Sequence, residues 1–310
     1  FYEIESFEKH LENLPKFCNV YVDQEISYFY FKLLNKKSRN LMLGIDYCKL
    51  LKSEKNSLEI KSARFYHEFD GVSLIKFFYW LDNLDFKKKI TEYDASKKLE
   101  YFRKQNKNFF SLSFPTISAV GSNGSIIHYE PDKKSKIMSL DKLYLCDSGG
   151  QYYGATTDVT RTVFIGKNPK KTIKYLYTLV LVGHLNISMI KFPIGTRGDQ
   201  IDSIARYPLW LEGLDYNHGT GHGVGYFNDV HEKYPIISHL SNQKILDGNF
   251  FSIEPGFYAS NEFGLRLENL YFAKKYSNGI KLEGVTLVPY DLDLINWKLI
   301  NNQEKLCIKK

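Results

Sequence analysis

Cysteine is scarce in this chain. Only Cys18, Cys48, Cys146 and Cys307 occur in 310 residues, and none stands at the short paired spacing of a zinc ribbon or a redox dithiol. A disulfide scaffold is thereby excluded, and a reducing compartment suits the composition. Long apolar runs are missing as well. The longest, Tyr175 to Ile190, contains Gly183, His184 and Asn186; it is too short and too polar to span a bilayer, so it reads as a buried helix. No signal peptide, internal repeat or low-complexity segment is found, and the chain opens on Phe1 rather than Met, as expected of a piece of a longer polypeptide. Basic residues do not cluster: the excess of 42 Lys and Arg over 35 Asp and Glu is spread over pairs such as Lys36-Lys37 and Lys170-Lys171. Dispersed pairs read as solvated faces rather than as one stripe, so neither nucleic acid nor a membrane surface is expected as a partner.

What is present is an ordinary globular composition, 43% hydrophobic and 25% charged, in a length that suits about two domains or one large one. Residues 1–50 mix a helical stretch, Phe7–Leu14, with strand-like pieces at Asn19–Val22 and Leu41–Ile45, and read as a small incomplete unit. From Ser57 to Leu84 apolar residues recur at helical spacing, and Thr91 with Asp94 resembles a capping box opening a second helix to about Lys107. The Asn123-Gly124 pair between Thr116–Val120 and Ser125–Tyr129 predicts a hairpin. Leu143–Asp147 and Thr157–Phe164 predict a second one. Helices are expected over Lys170–Ile190 and Asp199–Leu211, the latter stopped near Pro208 and Gly213. Strands are expected at Asn249–Glu254, Leu265–Phe272 and Gly284–Pro289. Helices and antiparallel hairpins intermix without βαβ repetition, which places the chain in the α+β class.

Several acidic and imidazole side chains fall at element ends. Asp147 and Asp158, eleven residues apart on two paired strands, can converge on one point. His218-Gly219-Thr220-Gly221-His222-Gly223-Val224-Gly225 sets two imidazoles among glycines that permit close backbone approach, as a loop delivering a side chain into a cleft requires, and His231 follows. Glu254 ends an apolar strand, and Arg266 and Glu268 share one face of another by the two-residue strand period. Singly, each has an ordinary explanation as a turn residue, a core histidine or a buried Arg–Glu pair. Together, Asp147, Asp158, His222, Glu254 and Glu268 bring four carboxylates to one place, where they would repel and resist ionisation unless cations balanced them. Two divalent cations do so, and an oxygen-rich set with one imidazole suits Mn²⁺, Co²⁺ or Zn²⁺. A paired-metal site points to hydrolysis. Spacing does not identify the bond that is cut.

The order of these five residues resembles the ligand set of the pita-bread metallopeptidases, the family of methionine aminopeptidase, prolidase and aminopeptidase P. Leu112-Ser113-Phe114-Pro115-Thr116-Ile117-Ser118, Gly124-Ser125-Ile126-Ile127-His128-Tyr129, Thr156-Thr157-Asp158-Val159-Thr160-Arg161-Thr162 and the run from Gly213 to Gly225 are similar to eukaryotic aminopeptidase P in particular. The resemblance spans roughly residues 52–290. It implies a pita-bread fold, with a curved antiparallel sheet covered by helices, and three segments: 1–51, the end of a preceding creatinase-like domain; 52–290, the catalytic domain; and 291–310, a C-terminal tail. It also implies that Asp158 and Glu268 bridge two metals, that Asp147 completes one shell and that His222 with Glu254 completes the other. Mn²⁺ is the first expectation, with Zn²⁺ or Co²⁺ as alternatives. Glu254 would shuttle the proton, His218 and His231 would position substrate and stabilise the tetrahedral intermediate, His128 would shape the proline-side pocket, and Arg266 would orient a ligand carboxylate such as Asp147. The implied enzyme is a homodimeric, cytoplasmic X-Pro aminopeptidase, using a hydroxide held between the two metals to release the residue that precedes a penultimate proline. Where the family continues His-Glu-Gly-Pro after the third histidine, this chain has His231-Glu232-Lys233-Tyr234-Pro235. The alternatives are a prolidase, cutting X-Pro dipeptides with the same ligands, and a catalytically inert pita-bread module that binds peptides or proteins.

Overall fold

The computed structural model describes residues 3–38 and 40–309, and the chain divides into two compact units, Phe1–Lys52 and Ser53–Lys310. In the smaller unit, strands Asn19–Asp23 and Asn40–Gly44 pair in parallel, joined through the helix Tyr28–Lys37, whose first turn is capped by Ser27. Parallel strands need such a crossover, and here it is a single helix. Leu34 is the one buried apolar side chain among the described residues of this unit, so two strands and a helix form very little core.

The larger unit begins with the two expected helices. Ser57–Asp82 is opened by a capping box between Asn56 and Glu59, and Glu92–Lys104 by the box between Thr91 and Asp94. They are tied to each other and to the sheet by a buried ion pair. The fully buried Arg103 guanidinium donates from Nε to Asp70 Oδ1 at 2.7 Å and from Nη2 to Asp70 Oδ2 at 3.2 Å. It also donates to the Ser148 hydroxyl and, at 3.2 Å, to the Ser148 carbonyl, and Tyr152 Oη donates to Asp70 at 2.7 Å. A buried guanidinium is tolerated only when paired and hydrogen-bonded throughout, and this one anchors the strand that carries Asp147.

Lys142–Ser148 lies between Ile117–Val120 and Val159–Ile165 in an antiparallel three-stranded sheet. A six-stranded sheet carries the remaining core, with Gly221–Gly223, Phe250–Ile253, Asn269–Tyr276 and Gly279–Gly284 adjacent in that order. Helices Lys171–Met189 and Gly198–Trp210 pack on each other. The mixture of helices with antiparallel sheets is α+β, as expected. Leu294, Ile295 and Ile300, near the chain's end, are buried in the same cluster as Tyr177, Leu181 and Leu185 of the first of these helices, and all four cysteines are unpaired.

Three local expectations are corrected. Residues 116–129 do not form a hairpin: after Ile117–Val120 the chain enters a 3₁₀ turn, Gly121–Ser125, because the Asn123 amide is drawn to the buried Glu92 carboxylate, at 2.9 and 3.1 Å from its oxygens. The Leu265–Phe272 run is split at Leu267 and Glu268 between Phe263–Arg266 and Asn269–Tyr276, strands of different sheets. The strand expected at Gly284–Pro289 ends at Gly284; beyond it the carbonyls of Val288 and Pro289 accept from the buried Arg161 guanidinium, at 2.5 and 3.1 Å, instead of from a neighbouring strand. The helix Gly198–Trp210 ends between Pro208 and Gly213, as expected, with Pro208 inside its last turn.

Asp70→Ala leaves the Arg103 guanidinium buried without its counter-charge, and the expected cost is about 3–5 kcal/mol of unfolding free energy. Urea denaturation of the wild type and the variant measures it; a loss under about 1 kcal/mol would show the pair to be dispensable.

Candidate metal centre

Each acidic site residue stands where a strand ends. Asp147 pairs with Thr160 in the three-stranded sheet, and Asp158 lies immediately before the partner strand Val159–Ile165, so both reach the same end of one ladder. Glu254 directly follows Phe250–Ile253, held by its N–H on the Thr220 carbonyl at 2.7 Å. Glu268 occupies the break between two sheets and is fixed by its own N–H on the Thr160 carbonyl at 3.1 Å. The Arg161 Nη1 donates to the carbonyls of Thr160 and Glu268, at 2.9 and 2.7 Å, and locks that crossing. Strand ends suit the presentation of ligand side chains, because backbone hydrogen bonds hold the main chain while the side chain projects past the last ladder pair.

His222 is delivered differently from the expectation. The glycine-rich segment is no loop at this point, since Gly221–Gly223 is a strand of the six-stranded sheet. Its glycines have a packing reason. A methyl group at Gly221 would overlap the Ser252 carbonyl, and one at Gly223 the Tyr234 carbonyl, so neighbouring strands approach His222 more closely than a Cβ allows.

All nine residues singled out from the sequence line one cavity of about 580 Å³. His222 Nε2 lies 3.4 Å from Glu254 Oε1 and 3.6 Å from Asp158 Oδ2. Its Nδ1 is 2.9 Å from the Gly223 carbonyl. That carbonyl can only accept, so Nδ1 carries the proton and Nε2 turns a lone pair toward two carboxylates. Burial and the neighbouring His231 lower the His222 pKa to about 3, so the ring is neutral. Ligand atoms of Asp158, His222 and Glu268 all fall within 4.8 Å of one another. Asp147 Oδ1, Asp158 Oδ1 and Glu268 Oε1 are buried without a hydrogen-bond partner.

Electrostatics show the same strain. Burial, then the charges of Asp147 and Glu254, push the Asp158 carboxyl well above the carboxylate range. Burial and the other three carboxylates do the same to Glu268. Burial raises Glu254 to about 8, although Arg266 opposes the shift. Arg266 is the one guanidinium lining the cavity. Its Nη2 donates to Asp147 Oδ2 at 2.6 Å and its Nη1 to Tyr258 Oη at 2.7 Å, while Glu254 Oε2 stands 4.0 Å from its Nε. The ordinary alternative, a buried Arg266–Glu268 pair, is not what forms; Glu268 Oε2 accepts from Thr160 Oγ1 at 2.8 Å. Orphaned carboxylate oxygens in one cavity with an imidazole whose lone pair faces two further carboxylate oxygens are a donor set for cations, and this set fits divalent ions with oxygen-rich coordination.

The remaining histidines take distinct places. His218 Nδ1 lies 2.8 Å from the Gly219 carbonyl and Nε2 2.9 Å from Tyr258 Oη, so a Tyr258 bridge links it to Arg266; burial and Arg266 lower its pKa to about 3. His231 packs edge-on against His222 with ring centroids 4.2 Å apart, and burial lowers its pKa also. His128 lines the same cavity, with Ile127 and Tyr129. Sequence reading misses Thr160 and Tyr258. Thr160 was detectable, because it follows Asp158 by the two-residue strand period and so faces the same way. Tyr258 was not, being one of 23 tyrosines with no spacing signal.

The profile of the metallopeptidase family M24 matches residues 67–275, more than half of the chain. Xaa-Pro aminopeptidase 1 of Dictyostelium discoideum is 42% identical over 280 residues, covering 86% of this chain and 44% of that protein. The crystal structure of an X-prolyl aminopeptidase from Caenorhabditis elegans, described as a cytosolic enzyme with a di-nuclear active site, superposes with a TM-score of 0.88 at 34% identity, covering 97% of this chain and 50% of that one. A prolidase from Pyrococcus furiosus has the same fold, with a TM-score of 0.77 at 24% identity over 93% of this chain and 80% of that one. The chain spans less than half the length of the curated relatives it matches. With a family match of that extent laid over the acidic cavity, the chain belongs to metallopeptidase family M24.

Proposed function

We propose that this chain is the catalytic part of an X-Pro aminopeptidase that holds two divalent metal ions. The observation that carries the reading is the set of three buried carboxylate oxygens without partners, beside an imidazole whose free lone pair faces carboxylates. Such a set is costly in a metal-free protein and ordinary in a metal centre. The proline specificity rests on the relatives named Xaa-Pro and X-prolyl aminopeptidase.

In this reading Asp158 and Glu268 would serve both ions, Asp147 would serve one, and His222 with Glu254 would serve the other; Mn²⁺ is the first choice, before Zn²⁺ and Co²⁺. The bound ions would supply a Lewis acid for the scissile carbonyl and an acidified water as nucleophile. Arg266 holds Asp147 in place by the 2.6 Å contact, and Thr160 holds Glu268 by the 2.8 Å one, so both carboxylates are aimed before an ion arrives. Glu254 takes the proton of the attacking water and passes it to the proline nitrogen as the carbon–nitrogen bond breaks. That transfer suits an X-Pro bond, whose nitrogen carries no hydrogen and leaves only when protonated. His218, oriented by Tyr258, and His231 position the peptide and stabilise the tetrahedral intermediate, while His128 shapes the side that receives the proline ring. Residues 1–51 are read as the end of a preceding creatinase-like domain, 52–290 as the catalytic domain and 291–310 as a C-terminal segment. A cytoplasmic homodimer belongs to the same proposal. No helix among the described residues is long and apolar enough to cross a membrane.

Peptide panels assayed by mass spectrometry test the reaction. Xaa-Pro-Xaa tripeptides should lose their first residue with Mn²⁺ stimulation and chelator sensitivity, whereas cleavage confined to Xaa-Pro dipeptides would assign a prolidase. Asp158→Asn should abolish turnover and lower bound metal by elemental analysis; Arg266→Lys should reduce metal affinity or activity about 10–100-fold. A wild type that binds no divalent metal and is as inactive as Asp158→Asn would favour the inert module.

Metal removal also has a pH signature. Folded, metal-free Glu254 titrates at about 8, against roughly 4.3 in an unfolded chain, and Asp158 and Glu268 shift the same way. The folded state therefore holds protons that unfolding releases, so this stabilisation is lost as pH rises through about 8. The depressed histidines act only below about 6.5, where the unfolded chain protonates them. The thermal midpoint of chelated protein should fall between about pH 6.5 and 8, and saturating Mn²⁺ should flatten or reverse the slope. A chelated midpoint flat across that window would contradict the crowded-carboxylate picture.

A further inference from the structure

Glu92 is a fully buried carboxylate outside the metal site, and its surroundings have no use in the chemistry above. Thr91 and Asp94 fix the helix start, which puts Glu92 at the first helical position, where the exposed N–H groups favour a negative side chain. From there its two oxygens collect several donors, one of them Tyr129 of the substrate cavity. Val120 N–H donates to Oε1 at 2.6 Å, Lys136 N–H to Oε2 at 3.1 Å, and Tyr129 Oη to Oε2 at 2.7 Å. The Asn123 amide donates to both oxygens and, at 2.8 Å, to Tyr129 Oη. Its main chain joins in: the Glu92 N–H donates to the Lys136 carbonyl at 2.9 Å, and the Glu92 carbonyl accepts from Ser118 Oγ at 2.7 Å. Burial and the neighbouring carboxylate push the Tyr129 phenol up to about 12, so it stays a donor.

Tyr129 lines the substrate cavity, next in sequence to His128. On the other side of His128, the Ile127 carbonyl accepts from Arg266 Nη2 at 3.5 Å. His128 is thus held between two anchors, one tied to the metal-site guanidinium and one to Glu92. We infer that Glu92 is a positioning residue for substrate: through Tyr129 and Asn123 it fixes the cavity wall that carries His128 and so sets the fit of the peptide. This rests on the peptidase reading for its substrate but not for its geometry. A glutamine at this position keeps the size but replaces one acceptor oxygen with a donor amide, which then faces N–H and O–H donors.

Glu92→Gln, Tyr129→Phe and the double variant, each metal-loaded, test it. Tyr129→Phe keeps the ring and cuts the link from Glu92 to the wall, so it remains informative if Glu92→Gln folds poorly. Both single variants should raise KM for an Xaa-Pro-Xaa tripeptide about tenfold or more, the scale of one hydrogen bond to a charged group, with a smaller change in kcat and unaltered metal content. The double variant should be no worse than Glu92→Gln, because both act through one contact. Hydrogen exchange read without substrate should quicken in Glu92→Gln over residues 120–136 and stay unchanged over 221–231. Faster exchange in a protein that cleaves no peptide would keep the positioning role and sink the peptidase reading. Tyr129→Phe with wild-type KM, or Glu92→Gln with wild-type exchange over 120–136, would overturn the inference.

Discussion

Four clustered carboxylates, those of Asp147, Asp158, Glu254 and Glu268, share the wall of one cavity with a single guanidinium, and much of the architecture follows from keeping them there. Ionised carboxylates at this spacing repel each other, and burial strengthens the repulsion by lowering the effective dielectric. Without a cation the site responds by holding protons, as the raised Asp158, Glu268 and Glu254 carboxyls show. Arg266 offsets part of the charge at Asp147. It cannot serve all four, and the orphaned oxygens mark what is left over. A backbone that imposes such crowding must be stiff. Every acidic side chain sits at a strand end whose main chain is committed to a ladder or to a specific carbonyl.

That stiffness depends on buried cations elsewhere. Arg103 joins two helices to the Asp147 strand through Asp70 and Ser148. Arg161 donates to main-chain carbonyls on both sides of the sheet crossing where Glu268 stands. Arg206 braces the segment before His222, reaching the carbonyls of Tyr216 and His218, each at 2.7 Å, while paired with Asp202. Each guanidinium has enough planar donors to fasten several strands at once, which a lysine could not do. None touches the cavity, yet each holds a segment that does. The buried carboxylate of Glu92 inverts the arrangement, with an acceptor gathering donors instead of a donor gathering acceptors.

The elements that depart from local expectation share one cause. The Asn123-Gly124 pair is a strong local hairpin signal, but a hairpin would strip the buried Glu92 carboxylate of the Asn123 hydrogen bonds, and bonds to a buried charge outweigh a turn preference. The Leu265–Phe272 run is continuous in apolar character, and nothing local marks where it changes sheets; the break comes from Glu268 meeting Thr160 and Arg161 across more than a hundred residues of sequence. Glycines are poor strand formers and so predict a loop around His222, whereas their actual role is to admit the Ser252 and Tyr234 carbonyls. Capping boxes and long helices are legible in the sequence because their causes lie within a few residues.

The sequence alone yields the α+β class, the four long helices of the larger unit with the Thr91 cap, the nine cavity residues and, through the order of its acidic and imidazole residues, the resemblance to a dinuclear peptidase family. Those features are local or ordered along the chain, and side-chain chemistry reports them directly. Only the tertiary structure decided which nitrogen of His222 is free, which oxygens are left without partners and that Glu92 holds the cavity wall through Tyr129. These depend on contacts between residues distant in sequence, whose distance and orientation are set by strand register and helix packing rather than by any spacing written in the chain.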